Sequence, residues 1–155
     1  MPDLWGMAQR PSASTADLGE RLARLGRALA EREAEHADGM AEARAFLEKL
    51  RARVEAALER FHRAAGGAGA PHLRVALGEL RLDDKHLRSV QFDLARGRYR
   101  AIVTAKSRGD VTLVGPFQAG KQEGPCRTFP MDAAPELDSA LGEFLEHFLE
   151  EAATP

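Results

Sequence analysis

The chain reads as an α+β protein: a long N-terminal helix, a four- to five-stranded antiparallel β-meander and a C-terminal amphipathic helix. Three observations predict this. Residues 14–65 contain no proline and are mostly Ala, Leu, Glu and Arg, all good helix formers. Residues 72–130 switch to a two-residue apolar period punctuated by glycine-bearing turns, as antiparallel strands require. Residues 137–149 return to Leu and Phe at helical spacing,.

Residues 1–13 hold two prolines and show no periodicity, so the expectation there is a flexible tail. Leu4 and Trp5 form an apolar pair inside it, of the kind that docks a peptide or folds back on its own domain. Ser14 followed by Asp17 resembles a capping box and sets the expected helix start. Residues 66–71 (GGAGAP) form a Gly/Pro linker that ends the helix,. An unbroken helix over 14–65 would be about 78 Å long at 1.5 Å per residue, too long for one small core.

The two halves of that helix differ. Leu18, Leu22, Leu25 and Leu29 repeat at 4-3-4 spacing, a narrow seam of coiled-coil type. Phe46, Leu47, Leu50, Val54, Leu58 and Phe61 form a wider stripe, as on a helix lying against a core. The domain core is therefore assigned to residues 72–155 together with 40–65. Between the halves, Glu31 to Gly39 offers almost nothing apolar and shifts the heptad phase,. Either one helix passes through this stretch or Asp38-Gly39 turns it into a helical hairpin. The continuous helix is the favoured reading.

In the meander, Leu73, Val75 and Leu77 define a first strand, and Leu80 and Leu82 continue it out of phase. A bulge or bend at Gly78-Glu79 follows. Val90, Phe92 and Leu94 mark the next strand. Arg96-Gly97 then leads to Tyr99, Ala101, Val103 and Ala105, and Arg108-Gly109 to Val111, Leu113, Gly115 and Phe117. Short turns make these antiparallel neighbours. Cys126–Phe129, between Pro125 and Pro130, suits an edge strand. Asp132 is the expected cap of the last helix, with Pro135 in its first turn.

Charge is segregated along the chain. Residues 1–71 balance, with 11 basic and 11 acidic side chains. Residues 72–130 carry 11 basic and 6 acidic groups, and residues 131–155 carry 7 acids and no Lys or Arg. With alternate residues of the strands facing a core, the other sheet face collects Arg74, Arg81, Arg98, Arg100 and Lys106, a candidate partner or anion surface. Nucleic-acid backbone contact is one use of such a face, although exposed aromatics for base stacking are missing from it. The last helix carries Glu143, Glu146, Glu150 and Glu151, a candidate acidic surface. Acids near a helix C-terminus oppose its dipole at about 0.3–1 kcal/mol each, so basic groups of the sheet or of a partner are expected beside them.

Motifs with catalytic meaning are weak. Gly115–Lys121 matches most of a phosphate-binding loop, but Gln122 replaces the hydroxyl residue and Pro125 follows where a helix should run,. Arg108-Gly109-Asp110 is hairpin chemistry. The five histidines show no metal-ligand spacing, and one cysteine permits no intrachain disulfide, so no metal and no cofactor are expected. A cytoplasmic setting is the default for such cysteine usage. No apolar run approaches the roughly 20 residues of a membrane span. A small enzyme with a site near the Gly115–Gly124 loop would have Lys121, Glu123, Cys126 and His86 to work with. The leading expectation is a non-enzymatic interaction module, an adaptor or chaperone-like subunit. It would form a homodimer through Leu18, Leu22, Leu25 and Leu29 and bind a further protein partner.

Overall fold

The computed structural model describes residues 2–83, 88–121 and 124–154, and of residues 2–16 the backbone alone. Its elements are α1 (Pro2–Gly67), β1 (Ala76–Leu77), β2 (Arg81–Asp83), β3 (Ser89–Arg96), β4 (Tyr99–Lys106), β5 (Asp110–Gln118), β6 (Cys126–Pro130) and α2 (Ala134–Ala152). The α+β class holds, with a six-stranded antiparallel sheet between the two helices in sequence.

Helix α1 begins at Pro2, ahead of the start expected at Ser14. Once a helix is nucleated, each further residue adds one hydrogen bond for the one residue it fixes, and proline is tolerated at its first position. The expected roles of Leu4, Trp5 and the Ser14 cap concern side chains outside those described. The helix also runs through Asp38-Gly39 without interruption. Two units are distinguished: residues 1–37, which contribute only helix, and residues 38–155.

Within residues 38–155 the reason for Gly39 is packing. A Cβ placed on it would collide with the carbonyl oxygen of Ser107, in the β4–β5 turn. The glycine that reads as a turn signal is instead a point of close approach.

The sheet order is β1-β3-β4-β5-β6, with β2 also paired to β3. The first strand splits where its phase changes. Leu77 pairs with Leu94 and Arg81 with Gln91, so three residues on one strand oppose two on the other, a one-residue bulge at Gly78–Leu80. Gly78 donates its N–H to the Asp93 carbonyl at 2.8 Å. Its own carbonyl accepts from Arg51 Nε at 2.8 Å.

A second bulge lies in β5. Arg100 pairs with Phe117 but Ile102 pairs with Val114. Gly115, with φ of 118°, and the cis Gly115-Pro116 bond occupy the extra position. A Cβ at Gly115 would lie 3.0 Å from both the Ala101 Cα and the Arg100 carbonyl oxygen. The alternation therefore reverses. Phe117 comes into register with Arg100 instead of continuing the Val111–Leu113 face, contrary to the sequence pattern.

One face of the sheet carries the core. Its rows are Leu82–Val90–Ala105–Val111–Phe129 and Phe92–Val103–Leu113–Arg127. Val90, Phe92, Val103, Ala105, Val111 and Leu113 of these rows pack with Ala43, Leu47, Leu50, Val54 and Leu58 of α1 and Leu137, Ala140, Leu141, Phe144 and Phe148 of α2 in a single buried cluster, while Leu82 and Arg127 are exposed. Helix α2 is entered through Ala133, which makes no side-chain cap; Asp132 does not take the capping role. Pro135 sits in the first turn as expected.

Candidate interaction surfaces

The first surface is the leucine seam of α1, which no side chain covers among the described residues. Leu18, Leu22, Leu25 and Leu29 are 51%, 57%, 49% and 46% exposed, whereas the wider stripe from Ala43 to Leu58 is buried. Gly19 and Gly26 flank the seam, and a Cβ added at either would meet nothing within 4 Å. A mid-helix glycine costs about 1 kcal/mol relative to alanine, and no close approach among the described residues repays that cost at either position.

The second surface is the sheet face turned away from the core. Its rows are Asp83–Ser89–Lys106, Arg81–Gln91–Thr104–Thr112–Thr128, Asp93–Ile102–Val114–Cys126 and Ala95–Arg100–Phe117. Arg81, Arg100 and Lys106 are thus brought to one face, while Arg98 lies in the β3–β4 turn. Arg74 does not join them. It lines a cavity with Glu55, Glu59 and His62 beside α1.

Two arginines of this face are engaged by groups of the chain itself. Arg81 approaches Asp93 at 3.9 Å. Arg100 Nη1 donates to the Gly97 carbonyl at 2.7 Å and to its neighbour Tyr99 at 2.9 Å. At the turn, Arg108 pairs with Asp110 at 2.8 Å. Between these groups lies a row of threonines in which Thr104 and Thr112 are buried and Thr128 is exposed, with Thr112 Oγ1 and Thr128 Oγ1 3.1 Å apart, beside an apolar row of Ile102 and Val114. The exposed Cys126 thiol ends that row.

The third surface is α2 with the β5–β6 strands. Glu143 pairs with Arg127 at 3.0 Å and Glu151 with His147 at 3.6 Å. Among the described residues no ion pair reaches Glu146 or Glu150, and both are exposed. Only part of the acidic helix is therefore neutralised by the sheet. The dipole problem at its C-terminus has a separate answer. Arg96 Nη1 donates to the Ala152 carbonyl at 2.6 Å, and Nη2 to the His72 carbonyl at 3.3 Å. A guanidinium at a helix C-terminus is favourable. No local sequence signal marks Arg96, because its partners lie 56 and 24 residues away.

Two neighbouring cavities open beside α2 and share Pro125 and His147. One, of about 210 Å³, has an apolar floor of Leu113, Ala140 and Phe144, with Arg127 and Glu143 at its rim. The other, of about 380 Å³, is bordered by Tyr99, Phe117, Lys121 and Glu151. Lys121 thus shares a cavity with His147, a residue with no distinguishing sequence signal. Cys126 lines neither cavity. His86 and Glu123 fall outside the described residues. Among the described residues no three His, Cys, Asp or Glu side chains gather as a metal site.

His62 has a structural task. Its Nε2 accepts the Val75 N–H at 3.0 Å, tying α1 to the chain entering β1. That bond requires a neutral ring nitrogen. Burial lowers the His62 pKa, the Arg74 charge lowers it further, and Glu59 opposes both. Among the described residues no helix is long and apolar enough to cross a membrane. The chain matches no protein-family model, no curated protein and no solved structure.

Proposed function

We propose that the protein is a non-enzymatic interaction module, an adaptor or chaperone-like subunit, that self-associates through its N-terminal helix. The observation that carries this reading is the row of four half-exposed leucines on α1, outside the buried core found among the described residues. A leucine side chain gains about 1.5–3 kcal/mol on full burial, so each half-exposed one retains about half of that. Eight leucines across a pair supply about 6–12 kcal/mol gross. Association costs about 4–15 kcal/mol. Terms of the same order favour a reversible association whose extent depends on concentration.

Self-association would leave the outer sheet face and the Glu146–Glu150 flank of α2 to a further protein partner. The exposed, unpaired acids on α2 favour a basic surface on that partner. The test is light scattering of the full chain from about 5 µM to 1 mM. The average mass should rise from 16.9 kDa toward twice that value, and Leu22→Asp with Leu25→Asp should abolish the rise. A wild-type chain that stays monomeric throughout, or a double variant that associates as well as wild type, refutes the proposal.

A further inference from the structure

We infer that the helix mates with a second copy of itself in antiparallel orientation, Leu18 opposite Leu29 of the second copy and Leu22 opposite Leu25. The inference rests on the self-association reading and adds its geometry.

The 4-3-4 spacing is the same read in either direction. Reversing one helix therefore places leucine on leucine at all four layers, giving the self-complementary patch of a two-fold dimer. In heptad terms Leu18 and Leu25 are d, Leu22 and Leu29 are a, and antiparallel seams pack a against d.

The glycines support the same register. Gly19 and Gly26 both occupy position e, seven residues apart, on one flank of the seam. In an antiparallel pair e faces e, so Gly19 comes opposite Gly26 of the second copy, and the backbones can approach closely along that flank. The space this needs is present, since nothing lies within 4 Å of a Cβ at either position. On the other flank Arg21 comes opposite Ala28, so no like charges meet.

A parallel, in-register pair is less consistent with the charges. It would continue the seam with Arg32 stacked on Arg32 of the second copy and His36 on His36. The antiparallel register sets neither Arg32 nor His36 against its own copy. Like charges directly opposed in a seam disfavour that arrangement and set helix orientation.

The test uses the full chain with Cys126→Ser, which removes the exposed native thiol. Leu18→Cys and Leu29→Cys are prepared separately and oxidised gently, alone and mixed. Positions 18 and 29 are about 16 Å apart along one helix, and a disulfide requires Cα atoms within about 7 Å. The expected result is a covalent dimer in the mixture, joined 18 to 29 by peptide mass mapping, and little from either variant alone. Efficient cross-linking of Leu18→Cys by itself overturns the antiparallel geometry and leaves self-association standing.

Gly26→Ala in the otherwise native chain is an independent readout. It should raise the helix content of the monomer yet weaken association by about tenfold or more, because the added methyl overpacks a close contact. Unchanged or tighter association overturns the inference. A wild-type chain monomeric at every concentration fails the underlying reading first, a result distinct from both.

Discussion

Replacing Gly39 with alanine should destabilise the protein, against the usual sign for a helical glycine. In an open helix Gly→Ala gains about 1 kcal/mol. At Gly39 the new methyl would overlap the Ser107 carbonyl oxygen and lie 3.0 Å from the Ser107 carbonyl carbon. The obstacle is backbone and cannot swing aside. The Ser107 N–H donates to the Arg88 carbonyl at 3.2 Å, and Gly109 N–H donates to the Lys106 carbonyl at 3.0 Å, so the turn is held from both sides. Overpacking of this kind costs about 1–3 kcal/mol; with severe overlap against fixed backbone the upper end applies. The net expectation is a loss of about 1–2 kcal/mol, or about 2–8 °C in Tm for a chain of this size. Gly142 is the control, a helical glycine in α2 with nothing within 4 Å of its Cβ. Gly142→Ala should gain up to about 1 kcal/mol. Urea unfolding followed by circular dichroism gives both values, read as midpoint shifts at constant slope. If Gly39→Ala stabilises as much as Gly142→Ala, helix α1 does not approach the β4–β5 turn as described.

Three further outcomes follow from named contacts. The folded state holds His62 below its ordinary pKa of about 6.5,, so unfolding takes up a proton. The His62 contribution is present above that value and is lost as pH falls through the lower, folded-state pKa. Stability measured from pH 8 to pH 5 should decline less steeply in His62→Gln than in wild type, and equal slopes would rule out this role. Arg96→Ala should cost about 1–3 kcal/mol, because it strips the partner from the Ala152 and His72 carbonyls; a neutral result in thermal melts would mean that water substitutes fully. Leu47→Ala should cost about 2–5 kcal/mol from a fully buried position, whereas Leu25→Ala should leave the melting of residues 38–155 unchanged.

Much of the molecule was legible in residue periodicity. The 3.6-residue stripe from Leu47 to Leu58 identified the helix face that enters the core. The odd-residue pattern of Ala101, Val103 and Ala105 identified the core side of its strand, and the phase slip between Leu77 and Leu80 located a real bulge. Each is a local signal, because side-chain direction along a helix or strand is fixed by backbone geometry. The candidate surfaces were less legible. Arg74, Arg81, Arg98, Arg100 and Lys106 look alike as charges in sequence, but Arg74 separates from the others and Arg81 and Arg100 find nearby acceptors. His147 gave no signal, since its cavity neighbours come from β4, β5 and the chain leading into β6.

The sequence alone determined the class, the order of elements and the contrast between a narrow leucine seam and a wide core stripe. These follow from local backbone preference and from which side chains repeat on one face. The tertiary structure decided what Gly39 is for, how the Gly115-Pro116 bulge reverses the face of β5, which arginines stay available on the sheet, and how Arg96 closes α2. Those outcomes depend on which distant backbone comes within contact distance, and periodicity carries no information about that.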